Sequence, residues 1–139
     1  MEFGLVLCWD VLDYRSGLKW VRRAANQGHL GAQYFLAAEL ATGERVKRNS
    51  PEAVKWYRTA AKSGHHEAQY NLALMLWNGE GVRKGTKAAH HWLEAAAKGG
   101  ELLALRALAE AYSDGLMGYR RDPHRAKYWS NRYRRARSR

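Results

Sequence analysis

Six histidines are the side chains best suited to chemistry here, and their spacing speaks against a metal centre. His65-His66 falls in a turn. His90-His91 falls in a helical pattern, where adjacent side chains point about 100° apart and cannot both face one ion. No His-x-x-x-His pair occurs, and no carboxylate converges on a histidine by spacing. Cys8, the single cysteine, cannot form an internal disulfide or a multi-cysteine zinc site by itself. Glu67, Glu94 and Glu110 are the carboxylates an acid–base pair would use, yet nothing in the spacing selects one of them. Gly79-Glu80-Gly81 is too short for a dinucleotide fingerprint and follows a helical pattern instead of a strand, so it reads as a helix stop and tight turn. No phosphate loop, nucleophile elbow or metalloprotease helix appears. The expectation is a non-enzyme without catalytic, cofactor-binding or metal-binding residues.

The aromatic residues carry more information. Trp20, Trp56, Trp92 and Trp129 are spaced by 36, 36 and 37 residues. Lys19-Trp20-Val21-Arg22-Arg23-Ala24-Ala25 returns as Lys55-Trp56-Tyr57-Arg58-Thr59-Ala60-Ala61 and again as His91-Trp92-Leu93-Glu94-Ala95-Ala96-Ala97. A fixed period of this length marks a stack of units, each too small to bury its apolar face alone. Recurring tryptophans belong to the packing between units, and the period turns the expectation from catalysis towards recognition.

The elements that must carry these residues follow from the same alignment. Ala32-Gln33-Tyr34-Phe35-Leu36-Ala37 matches Ala68-Gln69-Tyr70-Asn71-Leu72-Ala73 and, more loosely, Ala104-Leu105-Arg106-Ala107-Leu108-Ala109. Leu36, Ala37 and Leu40, like Leu72, Ala73 and Leu76, share one helical face. Gly43, Gly79 and Gly115 then supply the left-handed stop. This predicts A helices over about 30–42, 66–77 and 102–113. Tryptophan-bearing B helices are predicted over about 16–27, 51–63, 87–98 and 123–136. Ser50-Pro51 and Asp122-Pro123 read as a cap with proline at the first helical position, and Thr86 fills the cap slot between them. Val46 and Val82 are the expected loop plugs. Hydrophobic content of 46% with few β-branched residues fits an all-α chain with a core.

The pattern Ala53…Trp56-Tyr57…Ala60-Ala61…Gly64-His65…Glu67-Ala68-Gln69-Tyr70-Asn71-Leu72-Ala73…Gly79-Glu80-Gly81-Val82 resembles the Sel1-like repeat, a relative of the tetratricopeptide repeat, over residues 16–136. The third unit departs from it: Arg106 replaces the tyrosine, and Gly115-Leu116-Met117-Gly118-Tyr119 is one residue longer. The resemblance implies a right-handed α-solenoid of about three αα-hairpins of 36 residues (30–63, 66–98 and 102–136) with an extra N-terminal helix at 16–27. Residues 1–15 are the expected cap, with Phe3, Leu5, Leu7, Trp9, Val11 and Leu12 covering the open end; 137–139 form a basic end.

The resemblance further implies that the inner surface is formed by A helices and binds a peptide or helix of another protein. Its candidate contacts are Tyr34, Glu67, Tyr70, Leu74, Trp77, Asn78, Arg106 and Glu110. Trp77, whose equivalents are Ala41 and Ser113, is the expected exposed anchor. A second reading starts from charge. Net charge is +11, and residues 119–139 hold nine Lys/Arg against Asp122 alone. Arg132, Arg134, Arg135, Arg137 and Arg139, interleaved with Tyr128, Trp129 and Tyr133, suit an acidic protein surface or nucleic acid. The short apolar run before Asp10 is neither a secretory leader nor long enough to span a bilayer, so a cytoplasmic setting is expected. Open solenoid ends also permit self-association.

Overall fold

Helix follows helix along the chain, because Ala, Leu and long polar residues fill the segments and glycine or a polar cap marks their ends. The computed structural model describes the backbone of residues 11–139 and the side chains from Ser16 onward. Seven helices and no strand occur among the described residues: α1 (Val11–Asn26), α2 (Leu30–Thr42), α3 (Ser50–Lys62), α4 (His66–Asn78), α5 (Thr86–Lys98), α6 (Leu102–Asp114) and α7 (Pro123–Arg137). The A helices are α2, α4 and α6; the others are B helices. Each helix packs on its neighbours in the chain, which builds an all-α solenoid. α1 starts five residues before the alignment placed it. The expected N-terminal cover of Phe3, Leu5, Leu7, Trp9, Val11 and Leu12 lies outside the described side chains.

Capping differs from the sequence expectation at two places. The α3 cap is Asn49, whose side chain accepts from the Glu52 N–H at 3.1 Å, so Ser50 is already helical. Gly85 precedes α5 without a side-chain cap, and Thr86 is its first residue. Asp122 caps α7 as expected, accepting from the N–H groups of His124 and Arg125 at 3.1 and 3.2 Å. His29 and His65 cap α2 and α4: each Nδ1 accepts a backbone N–H, at 3.0 and 3.1 Å. These two histidines are therefore structural, and because Nδ1 accepts in each cap, the ring hydrogen sits on Nε2.

The core repeats with the sequence. Leu36, Leu72 and Leu108, one per A helix, are each 0% exposed. Leu40, Leu76 and Tyr112 are buried one turn further on, and Val46 and Val82 pack half-buried beneath their loops. Between units, the buried Gln33 and Gln69 amides donate to the carbonyls of Ala25 and Ala61, both at 3.1 Å, and Leu105 takes that slot in the third unit. Trp56 and Trp129 are buried and Trp92 half-buried, touching the core on both sides. Trp20 corrects the expectation for its position: it is 67% exposed, with the Arg23 guanidinium 5.1 Å from its ring. No unit among the described residues precedes it to supply the helix against which its successors pack.

Candidate functional site

The A helices carry side chains that project from the core face at regular offsets, and these form a strip across consecutive units. Tyr34 on α2 lies half-buried with its ring 4.7 Å from His65 and 5.9 Å from Tyr57. The Asn71 amide on α4 donates to its hydroxyl at 3.3 Å and to the Glu67 carbonyl at 3.0 Å, tying neighbouring A helices together. Burial, and then the adjacent Glu67 carboxylate, push the Tyr34 hydroxyl above its ordinary value. Tyr70, the same position one unit on, is raised by burial and by Glu101 and Glu110, with Arg106 opposing. Arg106 Nε donates to Glu110 Oε1 at 3.0 Å on α6, both side chains exposed. Tyr34, Glu67, Tyr70, Arg106 and Glu110 thus share one electrostatic neighbourhood across α2, α4 and α6.

Leu74 and Trp77 continue the Tyr70 face towards the other end of α4, with Trp77 about 10 Å from Tyr70 along the axis. Leu74 is half-buried and Asn78 is exposed at the helix end. Trp77 is less exposed than its small neighbours in the period suggested. It is half-buried, with Lys84 Nζ 4.3 Å from its ring centroid and Gly118 of the third loop against its edge. An apolar group would have to displace the Lys84 ammonium to reach this aromatic face. The strip has a sign: Glu67, Glu101 and Glu110 outweigh Arg106 around the tyrosines, while Lys84 sits at the tryptophan end.

Sequence reasoning missed His65, Asn71 and Glu101 in this strip and Lys84 at its end. Asn71 and His65 lie within the repeat motif itself, yet only the superposition of neighbouring helices reveals that they touch Tyr34. The basic tail is helical to Arg137, one residue beyond the predicted helix end. Arg132 sits over both Tyr128 and Trp129, at 5.9 and 5.4 Å, and Arg137 over Tyr133 at 5.6 Å. Arg134 bonds to Asn131, while Arg135 and Arg139 reach into solvent. Among the described residues no group of three His, Cys, Asp or Glu is placed to hold a metal ion, and no helix is long and apolar enough to cross a membrane.

The family model of the Sel1 repeat matches residues 10–29, 31–65, 66–101 and 102–132. Of the four matched segments, the first is short and overlaps the extra N-terminal helix expected at 16–27, and the other three overlap the three hairpins. A Sel1 repeat protein from Oxalobacter formigenes is similar in structure, with a TM-score of 0.79 and 31% identity over 86% of this chain and 34% of that one. A protective antigen of uropathogenic Escherichia coli, displaying an SLR fold, superposes with a TM-score of 0.80 and 32% identity over 91% of this chain and 26% of that one. The chain therefore spans about a third or less of either neighbour. No curated protein matches it.

Proposed function

The chain belongs to the Sel1 repeat family, and from that premise we propose that it is a non-catalytic adaptor holding a segment of another protein along its A-helix face. Repeats of this family generally serve protein–protein interaction. The observation that carries the reading is the strip Tyr34–Glu67–Tyr70–Arg106–Glu110, which crosses the three A helices α2, α4 and α6. Its aromatic rings are held by packing and by Asn71, so little conformational entropy is lost when a ligand docks. The acidic surplus near the tyrosines favours a basic residue in the bound segment, and the Trp77 end favours an apolar one.

Capture of partners with the tagged chain, in parallel with a Tyr70→Ala/Arg106→Ala variant of matched melting temperature, tests this. A defined protein retained by the parent, resistant to nuclease, and lost from the variant is the expected result. Equal retention by both would rule out the A-helix face.

The basic helix supports a second reading, contact with nucleic acid, because α7 holds six Lys/Arg and no carboxylate. That reading requires affinity to fall steeply with salt and to vanish when residues 131–139 are removed. The buried Trp129, 8% exposed, weighs against it, since a ring inside the core cannot stack on a base.

A further inference from the structure

The third loop breaks the period, and the break builds a cleft. Where the first two loops hold a half-buried valine, this one buries Tyr119, which is 9% exposed. His90 of α5 stacks on that ring at 3.7 Å and its Nε2 donates to the Met117 carbonyl at 2.7 Å. The Tyr119 hydroxyl donates to Glu94 Oε2 at 3.0 Å. Met117 is held at a φ of 53°, a conformation a side chain resists, so the loop is shaped by these contacts. Beside it opens a cleft of about 480 Å³ between α5, the loop and the start of α7.

Three arginines line this cleft: Arg120, Arg121 and Arg125. The two carboxylates in its wall are already engaged, Glu94 by Tyr119 and Asp122 by the α7 cap, with one 3.6 Å pair from Asp122 to Arg125. Arg121 donates to the Ser113 carbonyl at 3.0 Å, and Arg120 meets no carboxylate among the described residues. From the cleft the charge continues along one face of α7 through Arg125, Tyr128, Arg132 and Arg135, at offsets of three and four residues. Tyr128 on that face is 55% exposed.

We propose that this cleft and the α7 face beyond it bind an acidic segment of a partner protein, with a carboxylate or phosphate oxyanion seated among the three guanidiniums. Fork-shaped donors match a planar or tetrahedral oxyanion, and an anion there meets three arginines set against two carboxylates. A protein segment fits better than nucleic acid, because Tyr128 is the exposed ring on this face while Trp129 is buried and Tyr133 packs on the core. The site goes beyond the A-helix reading and stands or falls independently of it.

Fluorescence anisotropy of the full chain with three labelled probes tests the proposal: an octaglutamate peptide, a phosphoserine peptide of equal length, and a dT12 oligonucleotide. The peptides are expected to bind, and the tighter of the two identifies the oxyanion as carboxylate or phosphate. Arg120→Glu/Arg135→Glu reverses two exposed charges without a side-chain partner among the described residues, and should weaken peptide binding about 10-fold or more. Lys47→Glu/Lys62→Glu, the same charge change on exposed residues outside the cleft and α7, should leave it within about 2-fold. Equal loss from both variants would reduce the effect to net charge and overturn the site. So would unaltered binding by the first variant, or dT12 binding tighter than either peptide.

Discussion

Glu52 joins two units through one carboxylate, accepting the Arg22 guanidinium from α1 and the Trp56 indole N–H at 3.2 Å. The hydrogen bond from Arg22, and then that from Trp56, hold its carboxyl below the usual carboxylate range against the cost of burial. A depressed folded-state value means that its stabilisation is full above the ordinary carboxylate range and is lost as pH falls through the depressed value. Glu52→Gln should therefore cost about 1 kcal/mol and a few degrees of Tm at pH 7, but little at pH 2. An equal deficit at both would mean that the carboxylate charge is not what matters. At Trp77, alanine should weaken partner binding by about 1–3 kcal/mol while the circular dichroism signal of the helices persists. Collapse of that signal would make Trp77 a core residue. Some residue roles could not be read in advance. Periodicity equates Trp20 with Trp56, but cannot tell which copy stands at an open end, and exposure depends on that.

At the scale of the element, helix positions were readable to within a residue or two after α1, because glycine and polar caps bracket each run of apolar period. Gly64 shows why. Its φ is 88° and an added Cβ would meet nothing within 4 Å, so its restriction is purely the left-handed backbone and not space. Gly64→Val should lower stability by roughly 1–2 kcal/mol or more, since a β-branched residue resists that region. Gly85→Ala, at a φ of −141° with ordinary contact to Ala88, should melt at nearly the parent temperature. Thermal melts of the two variants check both, and equal Tm values would place the turn elsewhere. The caps of α3 and α5 were displaced by one residue because Asn49-Ser50 and Gly85-Thr86 each offer two adjacent candidates; only the geometry chooses. The histidine caps of α2 and α4 escaped notice because histidine is not among the common capping residues.

Across the whole molecule, a ladder of identical leucines explains how so small a chain holds its stack. Leu72, 0% exposed at the middle rung, should cost about 2–5 kcal/mol when cut to alanine, lowering Tm far more than any single surface change. The all-α solenoid was readable because every unit repeats the same local pattern, so one correct alignment places three hairpins at once. The candidate site was readable only in outline. Tyr34, Tyr70 and Arg106 share a register position, which placed them on one strip, whereas the links through Asn71 and Glu101 and the loop cleft near Tyr119 depend on contacts between units. A partner lying along the A-helix strip comes within reach of position 70 on α4. A photoreactive phenylalanine analogue placed at position 70, compared with one at Thr59 on the B-helix α3, tests it most directly in cells. Cross-linking of a defined protein from position 70 and not from 59 is the predicted result. A cross-link from 59 alone would put the partner on the other face and overturn the A-helix reading.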